Sequence, residues 1–198
     1  MRILGLSGSL RRESHNSRLL RAAGTLLPED AEMVVFDRLG EIPLFNEDDE
    51  HTPPASVVAL KRAIADADGV LVATPEYNHS IPGVLKNALD WASRPFAETP
   101  LKGKPAAVIG ASTSLFGAVW AQAETRKVLS ATGADVIDRE LPMPQADETL
   151  GADGLPIDPD GRELLQATLD ELVELAAKNV AKRAPVPAGE SAGKRIAA

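Results

Sequence analysis

The run from Gly69 to Thr74 is almost entirely apolar and leads directly into a polar turn and then a helical pattern. Uninterrupted apolar runs of this length are typical of strands buried on both faces of a parallel sheet. Pro75 restricts the backbone immediately after the run, and apolar residues then recur at helical spacing from Val84 to Ala92. Ligands of open α/β sheets bind where such strands end. The turn after Thr74 is therefore the first candidate site.

Strand and helix patterns alternate along the whole chain. Strands are predicted at residues 1–7, 32–37, 69–74, 105–111 and 134–139, and each is followed by a predicted helix, the last at about 161–178. This alternation predicts an α/β fold, in which helices cover both faces of a parallel sheet. Right-handed crossovers leave few arrangements. We predict a doubly wound five-stranded parallel sheet with strand order 2-1-3-4-5, the smallest arrangement of this kind.

The composition changes near residue 184, where Pro, Ala, Gly, Ser and Lys begin to dominate. Such a segment cannot bury enough apolar surface to offset the entropy that ordering would cost. We expect a single domain over residues 1–183, followed by a disordered tail over 184–198.

Charge and cysteine content exclude several function classes. The formal net charge of −8 opposes binding to nucleic acid. The chain has no cysteine, so it has no disulfide, thiolate metal site or cysteine nucleophile. The three histidines lack the spacing of a zinc site, so we expect no metal, and we expect all three to be exposed or capping residues. No leader segment or membrane-spanning run is visible, so we expect a cytoplasmic protein without a membrane partner.

The turn between the first strand and the first helix, Gly5 to Ser17, is a second candidate site. In the predicted strand order it lies beside the turn after Thr74. A helix N-terminus offers free N–H groups and about half a positive charge, which favours an anion such as phosphate. The turn lacks the dinucleotide glycine pattern and the Walker Gly-Lys pair. Among its polar side chains, those suited to an anion include Ser9, Arg11, Arg12, Ser14, Asn16 and Ser17. Any one of Ser14, Asn16 and Ser17 can instead be a simple helix cap.

The turn after Thr74 is suited to a flat ring. Its residues Glu76, Tyr77 and Asn78 present consecutive backbone amides, which can hydrogen-bond the polar edge of a heterocycle. Tyr77, the only tyrosine of the chain, can supply a wall for the ring. The alternative is a half-buried tyrosine whose hydroxyl is hydrogen-bonded within the protein.

Two sequence blocks then resemble a known family. They are Gly-Ser-Leu-Arg followed by Ser-x-Asn-Ser, and Pro-Glu-Tyr-Asn-x-Ser-x-Pro-Gly-x-Leu-Lys-Asn-Ala-x-Asp-Trp. Both resemble the NAD(P)H-dependent FMN reductases, which include quinone, chromate and azo reductases. The resemblance implies a flavodoxin-like fold, non-covalent FMN and NAD(P)H as co-substrate. It also implies a small-molecule electron acceptor and a homodimer or homotetramer.

The resemblance also implies roles for individual residues. The FMN phosphate would be held by Ser9, Arg11, Asn16 and Ser17. The isoalloxazine ring would be lined by Pro75, Glu76, Tyr77 and Asn78, and the third turn would close the site with Ser112 and Thr113. No catalytic side chain is implied, because N5 of the flavin carries the chemistry.

Two other functions remain open at this point. A flavodoxin-type electron carrier shares the fold and the cofactor but exchanges electrons with protein partners. A hydrolase is suggested by Gly5 to Ser9, but Ser9 occupies the position where a nucleophile elbow requires glycine.

Overall fold

The computed structural model describes residues 1–183 and shows the predicted α/β architecture around a parallel sheet. The strands are β1 (Arg2–Ser7), β2 (Glu32–Phe36), β3 (Gly69–Ala73), β4 (Pro105–Ala111) and β5 (Asp135–Val136). They lie in the order β2-β1-β3-β4-β5, which confirms the predicted order 2-1-3-4-5. The tail expected over 184–198 lies outside the described residues.

Six helices flank the sheet in the described part of the chain. They are α1 (His15–Gly24), α2 (Ala55–Asp66), α3 (Gly83–Ala92), α4 (Val119–Ala131), α5 (Ala146–Thr149) and α6 (Pro159–Arg183). Short 3-10 turns lie at Leu39–Glu41, Glu47–Asp49 and Phe96–Glu98. Over residues 1–183, no helix combines the length and the apolar character that crossing a membrane requires.

Alternating side chains of the strands supply the core on each face of the sheet. Leu71 packs in the cluster that contains the buried faces of α1 and α6. Val70 and Val72, its neighbours on β3, pack in the cluster that contains α2 and α3. Successive residues of a strand point to opposite faces, so a strand covered on both sides must be apolar throughout. This explains why the run from Gly69 to Ala73 carries no polar side chain.

The segment after β4 contains a short strand and a short helix that the sequence did not predict. A sixth strand, β6 (Pro142–Met143), pairs with the end of β4, and Ala111 lies opposite Met143. The buried side chain of Gln122 holds this segment, donating to the carbonyl of Leu141 over 2.9 Å and accepting from its N–H over 3.0 Å. As a result, α5 is carried to the carboxyl edge of the sheet, beside the candidate site.

Candidate functional site

A cavity of about 330 Å³ lies at the carboxyl edge of the sheet. Its volume falls within the usual range for ligand sites, roughly 300–1,000 Å³. Three strand-to-helix turns and α5 form its walls. The lining residues are Ser9, Arg11, Ser14, His15, Asn16, Pro75, Glu76, Tyr77, Ala111, Ser112, Thr113 and Asp147. Eight of the ten predicted site residues are among them, and the exceptions are Ser17 and Asn78.

Backbone hydrogen bonds fix the turns side by side. The N–H of Gly8 donates to the carbonyl of Ala73 over 2.8 Å, which joins the first turn to the end of β3. The N–H of Thr74 donates to the carbonyl of Ile109 over 2.9 Å, which joins the second turn to β4. The N–H of Ala146, the first residue of α5, donates to the carbonyl of Ser112 over 3.0 Å. The cavity is therefore held by the backbone of the sheet edge.

The hydroxyls of the first turn have different partners. Ser14 is the N-cap of α1, and its Oγ accepts a hydrogen bond from the N–H of Ser17 over 3.2 Å. The capping alternative is thus confirmed for Ser14. The hydroxyl of Ser17 lies 2.7 Å from that of Ser7 and lines a smaller adjoining cavity of about 150 Å³. Ser9 lines both cavities.

Asn16 joins α1 to the end of β4. Its side chain is buried, its Nδ2 donates to the carbonyl of Ala111 over 2.8 Å, and its Oδ1 accepts from the N–H of Ala111 over 2.9 Å. The carboxamide thereby satisfies two backbone groups that lie 95 residues away in sequence. Asn16 contacts the cavity, but most of its hydrogen-bonding capacity is used to position the first and third turns.

The second turn folds back more tightly than expected. Tyr77 and Ser80 exchange two backbone hydrogen bonds of 3.2 and 3.1 Å, with Asn78 and His79 in left-handed conformation at φ 52° and 60°. Asparagine tolerates this conformation better than most residues. Because the N–H of Tyr77 donates to the carbonyl of Ser80, the expectation that Glu76, Tyr77 and Asn78 present consecutive amides to a ligand is wrong at Tyr77. Tyr77 is 55% exposed, so it forms an outer wall of the cavity and is more exposed than the half-buried tyrosine of the alternative.

The carboxylate of Glu76 is directed toward α4. The side chain is only 6% exposed, and its Oε2 accepts a hydrogen bond from the N–H of Ala121 over 3.0 Å. A carboxylate near a helix N-terminus is stabilised by the free N–H groups and the helix dipole. Glu76 therefore anchors the second turn to the first turn of α4.

His15 and Asp147 are site residues that sequence reasoning missed. The side chain of His15 is 13% exposed, and its Nε2 lies 2.9 Å from Oδ1 of Asp147 on α5. The expectation that His15 is exposed or capping is therefore wrong, because Ser14 is the residue that caps α1. The contact was hidden because α5 lies in a stretch without a periodic sequence pattern. His15 itself lies within the Ser-x-Asn-Ser pattern at the start of α1. That position at a candidate site was the signal that could have identified it.

The cavity has a polar end and a flatter end. Arg11 and the N-terminus of α1 give the polar end donors that favour an anion. Pro75 and Tyr77 bound the other end, where a planar ring can lie. Nδ1 of His15 is buried and has no hydrogen-bond partner among residues 1–183. A ligand with a phosphate and a flat ring, such as FMN, fits this arrangement. No cluster of metal-ligating side chains occurs within the same described residues.

Comparison with known proteins gives one family. The profile of the family described as NADPH-dependent FMN reductase matches residues 1–148. An NAD(P)H-dependent FMN reductase of Pseudomonas aeruginosa is 43% identical over 175 residues, which is 87% of this chain and 93% of that protein. A 2-hydroxy-1,4-benzoquinone reductase of a Burkholderia species is 40% identical over 172 residues, with 86% and 93% of the two chains covered.

A solved structure of a flavoenzyme also resembles this chain in fold and sequence. The flavoenzyme FerB of Paracoccus denitrificans, an NAD(P)H:(acceptor) oxidoreductase, superposes with a TM-score of 0.78. The two proteins are 37% identical, and the match covers 89% of this chain and 97% of that one.

Proposed function

Because the chain belongs to the NADPH-dependent FMN reductase family, we propose that residues 1–183 act as one domain that binds FMN in the cavity at the sheet edge. The chain is an oxidoreductase that depends on FMN and NAD(P)H. Its acceptor is a small molecule of the quinone class, which the names of its relatives support. Azo compounds and chromate are further acceptors within this proposal. The observation that carries it is the meeting of an anion-binding helix N-terminus and a ring-sized cleft in one cavity.

The polar end of the cavity holds the phosphate in this proposal. Ser9 and Arg11 contact it directly, together with the free N–H groups at the start of α1. Asn16 and Ser17 support the same function through the shape of the turn, because their hydrogen bonds to Ala111 and Ser7 fix its backbone.

The ring lies between the second and third turns. Pro75, Glu76 and Tyr77 line one side, Asn78 shapes the tip of the turn, and the other side is closed by Ser112 and Thr113. When bound, the flavin accepts hydride from NAD(P)H and passes two electrons to the acceptor. The chain supplies position and electrostatics: the anchored Glu76 fixes the turn, and the exposed Tyr77 leaves the rim accessible to substrates. Since no separate dinucleotide motif exists in the sequence, nicotinamide and acceptor use the same cavity in turn.

Steady-state turnover tests the proposed activity. Full-length protein loaded with FMN is expected to oxidise NADH or NADPH continuously when a soluble benzoquinone is supplied, over many turnovers per flavin. Consumption of the nucleotide is followed by absorbance, with free FMN at equal concentration as the control. A flavodoxin-type carrier would be nearly inert in this assay, so a rate no higher than that of free FMN would reject the reductase.

We also propose a homodimer, or a tetramer built from it, formed through an aromatic patch beside the cavity. The patch consists of Phe116, Trp120 and His79, whose rings contact one another with centroids 4.9 and 4.5 Å apart. Phe116 is 56% exposed and Trp120 40% exposed, and exposed aromatic residues in contact are typical of interaction surfaces. A partner at this position would cover the rim of the cavity near Tyr77.

Sedimentation checks the dimer. The full chain is expected to sediment as a dimer or tetramer at micromolar concentration, and Phe116→Glu is expected to shift it toward monomer because it places a charge in an apolar interface. Leu44→Glu is a matched control, since Leu44 is 85% exposed and lies outside the aromatic patch. A wild-type monomer under these conditions would contradict the proposal.

A cytoplasmic location also belongs to this proposal, supported by the cysteine-free sequence. The acidic net charge of −8 supports the absence of a nucleic-acid partner.

A further inference from the structure

The smaller adjoining cavity, of about 150 Å³, lies where β1 and β2 end, and we call it the β2 cavity. Strand β1 lies between β2 and β3 in the sheet, so the β2 cavity is on the other side of the first turn from the proposed FMN site. Ser9 lines both cavities, which therefore adjoin at the first turn. The proposed binding of FMN leaves the β2 cavity without a ligand.

The lining of the β2 cavity combines polar and apolar residues. Ser7 and Ser17, whose hydroxyls lie 2.7 Å apart, are among the polar ones, and Leu20 and Leu39 are among the apolar ones. A sugar ring presents both kinds of surface, with hydroxyls at its edge and C–H groups on its faces. A cavity of about 150 Å³ holds a ring the size of benzene, so the β2 cavity accommodates a ribose but not a whole nucleotide.

Two opposite charges line the β2 cavity. Asp37 directly follows β2, and Arg21 lies one turn beyond Ser17 on α1. A carboxylate only accepts hydrogen bonds, so it matches the two hydroxyls of a ribose, whereas a guanidinium only donates and matches a phosphate. In doubly wound proteins that bind dinucleotides, an acidic residue hydrogen-bonds the 2′-hydroxyl of NAD, and a nearby arginine accommodates the 2′-phosphate of NADP.

The co-substrate of the proposed reaction needs a second binding region. Its nicotinamide must reach the flavin ring, but FMN occupies the larger cavity, so the adenosine half must lie outside that cavity. The β2 cavity adjoins the FMN site at Ser9 and lies at the same carboxyl edge of the sheet. Its position therefore suits the distal ribose of a dinucleotide.

We propose that the β2 cavity binds the adenosine ribose of the nicotinamide dinucleotide, with Asp37 accepting from its 2′-hydroxyl, so that the chain prefers NADH to NADPH. This inference rests on the proposed function and adds to it the site that selects the dinucleotide. The carboxylate of Asp37 repels the 2′-phosphate of NADPH, and so small a cavity leaves little room for that group. Arg21 acts in the opposite direction and limits the preference.

Calorimetry with the full-length protein loaded with FMN tests the inference. NAD⁺ and NADP⁺ are the probes, because they bind without reducing the flavin. Wild type is expected to bind NAD⁺ roughly tenfold more tightly than NADP⁺, and Asp37→Asn is expected to abolish this preference. Arg21→Gln is expected to increase the preference by about threefold, since it removes an exposed attraction for the 2′-phosphate. The ratio of kcat/KM for NADH to that for NADPH is expected to change in the same directions.

Two control variants remove the same charges elsewhere. Asp49→Asn and Arg62→Gln alter exposed residues that line neither cavity, and both are expected to keep the preference of wild type. Affinity for FMN is expected to be unchanged in Asp37→Asn and Arg21→Gln, because neither residue lines the FMN site. Circular dichroism establishes that each variant is folded, and the two substitutions in the β2 cavity provide independent tests.

The outcomes separate this inference from the proposed function. Continuous oxidation of both dinucleotides with NADPH used as well as NADH would leave the proposed function intact and overturn the inference. Equal discrimination by Asp37→Asn and Asp49→Asn would show that Asp37 does not contact the ribose. If the loaded protein oxidises neither NADH nor NADPH, the proposed function fails, and this inference fails with it.

Discussion

Asn16→Ala is expected to lower the free energy of unfolding by about 2–6 kcal/mol, the largest stability effect we predict for a single site. The substitution leaves the N–H and the carbonyl of Ala111 without partners in a buried position. An unsatisfied buried polar group costs about 1–3 kcal/mol, and here there are two. Denaturant unfolding monitored by circular dichroism measures the change.

A second asparagine variant tests whether the loss of stability is specific to Asn16. Asn179 on α6 donates through its side chain to the carbonyl of Gly103 over 3.1 Å, but it is only partly buried. Water can replace its hydrogen bonds, so Asn179→Ala is expected to cost less than about 1 kcal/mol. Equal losses for the two variants would show that Asn16 does not tie α1 to β4 in the way the structure indicates.

Arg11→Ala is expected to weaken FMN binding roughly tenfold to hundredfold with little change in thermal stability. The guanidinium lines the polar end of the cavity, and its backbone N–H donates to Oγ of Ser9 over 3.4 Å. A charge-assisted bond to phosphate is lost, whereas no buried contact within the protein is removed. Isothermal titration calorimetry with FMN gives the affinity.

Arg12→Ala is the control for Arg11→Ala. It removes the same charge from the same turn, but Arg12 is exposed and does not line the cavity. Arg12→Ala is expected to lower FMN affinity by about threefold or less at physiological salt, because it removes only a screened long-range attraction. If the two variants weaken FMN equally, Arg11 acts only through net charge and does not contact the phosphate.

The framework of the fold was predictable from the sequence because its signals are local. The bounds of β4 agree with the prediction, and β3 differs from it by only one residue, since buried strands must be apolar throughout. The strand order followed from handedness rules that hold for any chain of alternating strands and helices. The position of the cavity followed in turn, because that order sets the first two turns side by side.

Other parts of the structure depend on distant contacts that no local pattern reveals. The two-residue strand β6 forms because Gln122 and the edge of β4 hold residues 141–143, and so short a segment shows no periodicity. Strand β5 was predicted over 134–139 but pairs with β4 only over Asp135–Val136.

The candidate site likewise contains residues that the local sequence predicted and contacts that it did not. Pro75 and Tyr77 lie in the cavity where their turn suggested, whereas the contact between His15 and Asp147 joins residues far apart in sequence. Asn78 was expected to line the ring, but the tight pairing of Tyr77 with Ser80 places it at the tip of the turn. Side-chain partners are decided by tertiary packing, which a single sequence does not display.

The most direct test of the account is the binding of FMN to the full-length apoprotein. We expect saturable binding of one FMN per chain, with quenched flavin fluorescence and a yellow protein that retains its flavin through gel filtration. Riboflavin should bind more weakly, because the polar end of the cavity would then lack its anion. Absence of any saturable FMN binding by calorimetry and fluorescence would contradict the account.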